Sequence, residues 1–150
     1  MAKVFLSWSG RESENHAAAW RNWIRDVFPD AEVFLSSSDI DAGDDWRKVI
    51  SKQIRNSKIG IVFVTAENMR SPWILFEAGA LAIAKRRRLV VCMVSGSPGE
   101  LPSPLSAFHT VNTDKKGAEK IFAVLQAEIG QPRAKFFLVW PSLEGKLRTM

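Results

Sequence analysis

Apolar positions along this chain fall into two rhythms that alternate from one end to the other. Lys3-Val4-Phe5-Leu6-Ser7 and Glu32-Val33-Phe34-Leu35 are short runs rich in β-branched and aromatic residues, the composition of strands. Ile59 to Val64 and Leu89 to Val94 are apolar at every position, which predicts strands covered on both faces. Between the runs, apolar residues recur at spacings of three and four. Ala17, Trp20, Trp23, Ile24, Val27 and Phe28 predict an amphipathic helix from Glu14 to Phe28, closed by Pro29. Trp46, Val49, Ile50 and Ile54 predict a second, ending near Asn56 and capped by Asp44 or Asp45. Ala118, Ile121, Phe122 and Leu125 predict another from Lys115 to Ile129, after a short strand near Phe108 to Val111. The prolines between Ser95 and Pro104 predict a loop. No internal repeat is read in the pattern.

Strands that alternate with helices build a parallel sheet covered on both sides, so the expected fold is doubly wound α/β with about five strands. In such sheets ligands bind beyond the carboxyl ends of the strands. That rule brings the Ser7 to Gly10 loop, the long polar Ser36 to Asp44 loop and the start of a helix at Pro72 to one edge. This last helix is expected to run from Pro72 to about Lys85, with Ser71 as its cap and Pro72 at the first position, where no N–H is needed. Within it, Trp73 and Glu77 stand four residues apart, on one face. A carboxylate in so apolar a run is either a solvated helix residue or the working group of a site, and its place at the sheet edge favours the second.

With 150 residues, 46% hydrophobic and 25% charged, the chain has the size and composition of one folded domain. Residues 1–130 carry the alternating pattern. Residues 131–150 open with Gln131-Pro132 and contain the apolar patch Phe136-Phe137-Leu138-Val139-Trp140-Pro141, expected to add a strand or begin a linker. No stretch approaches a membrane span and the N-terminal apolar run is too short for a signal peptide, so a cytoplasmic protein without membrane contact is expected. The net charge of +5 has its densest cluster at Lys85-Arg86-Arg87-Arg88. Cations after a helix are explained by its dipole, and no groove-reading motif accompanies them, so direct nucleic-acid binding is not expected. Cys92 is a lone cysteine in an apolar run, expected to be buried and inert. His16 and His109 lack ligand spacing, so no metal is expected.

Phosphate-binding glycine loops, the dinucleotide fingerprint and the nucleophile elbow are absent from the sequence. What remains is a carboxylate, an aromatic neighbour and small hydroxyl residues beside polar loops. That set suits cleavage of a glycosidic bond through a cationic transition state, which a carboxylate stabilises.

Four stretches, in order, resemble the Toll/interleukin-1 receptor (TIR) domains, and the bacterial ones in particular. They are Val4-Phe5-Leu6-Ser7 with its polar loop, Asp39-Ile40-Asp41-Ala42-Gly43, Ile54 to Lys58 before the central strand, and Trp73-Ile74-Leu75-Phe76-Glu77, which is similar to the Trp-x-x-x-Glu signature of NAD-cleaving members. The resemblance covers about Lys3 to Ile129 and implies a flavodoxin-like sheet and hydrolysis of NAD+ at the nicotinamide–ribosyl bond, with NAD+ as substrate rather than cofactor. It implies Glu77 as the catalytic carboxylate, Trp73 as the pocket wall, and Ser7, Trp8 and Ser9 on the nucleotide side. Asp39, Gly43 and Trp46 complete the implied substrate-binding set. Asp39, Ile40, Asp41, Ala42, Gly43 and Asp44 form the loop implied to contact a neighbouring TIR domain, since members act after self-association, in bacteria often in antiviral defence and under a further domain or partner that senses infection. The loop has Ala42-Gly43 where receptor and adaptor members have Pro-Gly, and Trp8 stands where His or Tyr is usual. Phe76 implies a well-packed helix holding Glu77 rigid. A cyclase that makes cyclic ADP-ribose, and a non-catalytic module working by TIR–TIR association, are the other readings.

Overall fold

The computed structural model describes residues 2–36, 46–83, 88–103 and 105–150, and at 46 and 47 the backbone alone. Among the described residues, five strands form one parallel sheet in the order β2-β1-β3-β4-β5: β1 Ala2–Ser7, β2 Ala31–Leu35, β3 Ile59–Val64, β4 Arg88–Met93 and β5 His109–Asn112. The helices are α1 Arg11–Val27, α2 Trp46–Asn56, α3 Pro72–Ile83, α4 Lys115–Ile129 and α5 Phe136–Arg148. This is the doubly wound α/β fold expected from the alternation. None of the described helices is long and apolar enough to cross a membrane.

Strand periodicity sorts the core into two layers. Val4, Leu6, Val33, Leu35, Ile61 and Phe63 pack against α1, α4 and α5. Phe5, Phe34, Val62, Val64, Val91 and Met93 point the other way and pack against α2 and α3. The central strand β3 is buried along its whole length, as its unbroken apolar run requires. Cys92 is buried in the first layer, where the apolar surroundings push its thiol up to about 12.

Two expectations are corrected here. α1 begins at Arg11, three positions before the first residue of its expected span, because Gly10 turns the chain with φ 92° and its carbonyl accepts from Glu14 N at 2.9 Å. The first turn is polar and carries no apolar signal. The tail is a helix and not a strand: Phe136, Val139, Trp140, Leu143 and Leu147 recur at helical spacing and pack α5 onto the α1 layer. The indole of Trp23 donates to Val139 O at 2.9 Å, Phe136 stacks on Trp140 at 5.8 Å, and Arg133 pairs with Asp26 at 2.9 Å. Pro141 lies inside this helix, withholding one amide without ending it.

In the basic cluster, residues 85–87 lie outside the described ones. Arg88 opens β4 and reaches Glu128 of α4 at 3.8 Å.

Candidate functional site

The site begins with a short repeat of four residues. Val-Phe-Leu-Ser occurs at Val4 to Ser7 and again at Val33 to Ser36. β1 and β2 pair in parallel with Val4 opposite Val33, Phe5 opposite Phe34 and Leu6 opposite Leu35, and Ser36 N donates to Leu6 O at 3.0 Å. Alternation therefore sends both phenylalanines and both serines toward α3. The Phe5 and Phe34 rings stack at 5.5 Å, and Ser7 and Ser36 follow them at the carboxyl ends of their strands, each fully buried.

α3 lowers Glu77 into the same place. Ile74, Ala78 and Leu81 are the buried positions around it, and helical spacing puts Glu77 among them. Glu77 is 0% exposed, and Ser7 Oγ donates a hydrogen bond to its Oε1. Burial raises its pKa from 4.5 to about 8, against the downward pull of the Ser7 hydroxyl and, more weakly, of Ser36. The Ser36 hydroxyl is near enough to favour the ionised form, yet no hydrogen bond of ordinary geometry reaches Ser36 Oγ or Glu77 Oε2 among the described residues. Glu77 is thus a carboxyl that holds its proton near neutral pH, not a solvated helix residue.

Trp73, one turn before Glu77, is half-buried and packs against the α2–α3 layer. Phe76 departs from expectation. It is 47% exposed, because the positions that face inward are 74, 77, 78 and 81, and the same geometry leaves Ile83 85% exposed.

The β1–β3 boundary is the point where strand order reverses, so the chain after β1 leaves toward α1 and the chain after β3 toward α3. Between them lies a crevice of about 180 Å³ lined by Ser9, Gly10, Thr65, Asn68 and Ser71 among others. Buried Asn68 ties its walls together. Its Oδ1 accepts from Thr65 N at 2.7 Å, and its Nδ2 lies 2.9 Å from Ser9 O, 3.2 Å from Ser13 Oγ and 3.1 Å from Phe63 O. Ser9 and Ser71 hydroxyls meet at 3.3 Å across the top. The Ser71 carbonyl accepts from Leu75 N at 3.0 Å, opening α3 before Pro72 as its sequence predicts.

Of the expected site residues, the structure brings Ser7 to Glu77 and places Ser9 on the crevice wall. Trp8 turns the other way and packs on the α1 layer, since it shares the parity of Val4 and Leu6. Asp39, Ile40, Asp41, Ala42, Gly43 and Asp44 lie outside the described residues, as does the side chain of Trp46. Ser36 and Asn68 were not singled out from sequence. The second Val-Phe-Leu-Ser was the available signal for Ser36; for Asn68, one asparagine in a polar turn offers none.

A flavodoxin-like α/β domain with a dry carboxyl beside its switch point is the class that fold and site define. The family model described as "TIR domain" matches residues 4–126, and the chain belongs to that family. Among solved structures it is similar to the TIR domains of the activated Roq1 resistosome directly recognizing the pathogen effector XopQ, with a TM-score of 0.55 and 16% sequence identity over 100% of this chain and 86% of that one. At that identity the likeness is one of fold. No curated protein sequence matches the chain.

Proposed function

We propose that this TIR domain hydrolyses NAD+ at the bond between nicotinamide and ribose. The observation that carries the reading is Glu77, a fully buried carboxyl on α3 placed beside two strand-end serines and one turn from Trp73. In the reaction the ribosyl C–N bond breaks and its electron pair leaves with nicotinamide. The ribosyl cation left behind is stabilised by Glu77, which gives its proton to solvent when the site opens and burial no longer holds it, and is captured by water, giving ADP-ribose, nicotinamide and one proton. Trp73 forms the wall beside the nicotinamide ribose, and Ser9 the nucleotide side; Asp39, Gly43 and Trp46 complete the contacts. Capture by the adenine ring instead of water makes the cyclic product from the same cleavage.

Because Glu77 is sealed, substrate reaches it only when its surroundings rearrange. We assign that rearrangement to self-association through Asp39 to Asp44, in the cytoplasm and in antiviral defence, under a domain or partner that senses infection. The test is nicotinamide release from NAD+ by a concentrated, crowded sample, with products separated. Wild type releases nicotinamide, and Glu77→Gln lowers the rate by about a thousandfold, the scale of a lost transition-state partner. Equal rates for the two proteins discard the proposal.

A second reading is favoured by one observation, the exposed apolar face of α3 at Phe76 and Ile83. It makes the domain a non-catalytic module that works by association alone. In that case assembled wild type releases no nicotinamide, and Glu77→Gln assembles as wild type does.

A further inference from the structure

The repeated Val-Phe-Leu-Ser does more than build two strands. In-register pairing sets two hydroxyls side by side at the sheet edge, both facing α3 and both fully buried, and the carboxyl of Glu77 descends onto them. Ser7 holds Oε1. Oε2 and the Ser36 hydroxyl are the two buried polar atoms beside it that lack partners among the described residues. Leaving both unmet is costly in a dry site unless some state of the molecule pairs them. Ionisation of Glu77 is such a state, since a carboxylate needs donors on both oxygens whereas the acid needs fewer.

We infer that Ser7 and Ser36 act as a pair of positioning residues for Glu77: Ser7 fixes the orientation of the carboxyl through Oε1, and Ser36 closes onto Oε2 when the group ionises. The catalytic consequence rests on the NAD+-cleaving reading; the pairing itself does not. From β3 and β4 the side chains on this face are Val62, Val64, Val91 and Met93, and from α2 Ile50 and Ile54 point inward. The pull that opposes burial at Glu77 comes from the hydroxyls of Ser7 and Ser36, both neutral donors. A cradle of neutral donors suits a site whose reacting partner is itself a cation, because a fixed positive group there would oppose the ribosyl charge.

The experiment follows the Glu77 carboxyl directly. Full-length protein carrying 13C-labelled glutamate side chains is titrated by NMR, with the Glu77 signal assigned by its loss in Glu77→Gln. NAD+ cleavage is measured across the same pH range in assembled samples. Ser7→Ala and Ser36→Ala each move the Glu77 midpoint to higher pH, and the double variant moves it further. Each lowers kcat at neutral pH by on the order of 10- to 100-fold, the worth of one hydrogen bond to a charged group, with KM little changed. The rising limb of the pH–rate profile moves in the alkaline direction in the same variants. Ser7→Thr keeps a hydroxyl on a side chain suited to a strand end and restores the wild-type midpoint. A Glu77 midpoint unmoved by Ser7→Ala overturns the inference, and one unmoved by Ser36→Ala overturns the pairing. If wild type cleaves no NAD+, the proposed function fails while the titration still decides whether the two serines hold the carboxyl.

Discussion

A carboxyl that loses its water on folding binds its proton more tightly, and at Glu77 this has a consequence for stability. Its pKa is raised to about 8 in the fold from 4.5, so between those values the folded chain holds a proton that the unfolded chain releases. Stability from this group is therefore full below pH 4.5, declines as pH rises, and has been lost by the time pH passes about 8. Glu77→Gln keeps the shape and removes the ionisation. Its stability should equal that of wild type at acid pH and exceed it by a few kcal/mol above pH 8, read from urea unfolding at several pH values. A solvated Glu77 gives no such divergence. His16 works in the opposite sense: buried on α1, it has a lowered pKa because burial outweighs the nearby Glu12. Stability from neutral His16 is present above 6.5 and is lost as pH falls through the depressed value.

Among the elements, α5 and α4 are held to the rest by contacts that substitutions can separate. Trp140 is buried and stacked on Phe136, whereas Phe137 next in the chain is exposed. Trp140→Ala should destabilise the domain by about 3–5 kcal/mol and Phe137→Ser by no more than about 0.5 kcal/mol, as measured by chemical denaturation. Equal small effects at both positions mean that α5 is not part of the cooperative fold. α4 comes so close to β5 that a Cβ at Gly117 falls 1.8 Å from Asn112 O, a backbone atom that cannot give way. Gly117→Ala should cost more than about 2 kcal/mol by the same assay, because the capped start of α4 has to move off the sheet. Asp114 makes that cap, accepting from Gly117 N at 2.8 Å. The helical spacing of α5 was present in its sequence from Phe136 to Leu147, but Pro141 in the middle made it read as the end of an apolar patch. α3 was legible, because Ser71-Pro72 starts it and its apolar run is long.

For the molecule as a whole, a sealed carboxyl makes the proposed activity depend on whatever opens it. Under the proposed function that agent is a second copy of the chain, so nicotinamide released per protomer should rise with protein concentration and level off once assembly is complete. A rate per protomer that is independent of concentration, in samples shown by light scattering to pass from monomer to assembly, removes self-association from the proposal. The order of strands explains where this happens. β1 lies between β2 and β3, so two strand ends bearing serine and the crevice after β3 share one edge.

Hydrophobic periodicity is a local property, and what depends on it was readable from the chain alone: which segments are strands, which are helices, which faces turn inward, and hence a parallel sheet with its candidate site at the strand ends. The parity of Phe5 and Ser7 was in the sequence too. What joins Ser7 to Glu77 spans 70 positions, and what sets Ser7 beside Ser36 is the register of two strands. No period along one strand states either relation. Only the tertiary structure decided that Glu77 is sealed, because its burial comes from α3 closing over the sheet and not from the residues that flank it in sequence. The charge state of the one carboxyl on which the proposed chemistry rests follows from that closure.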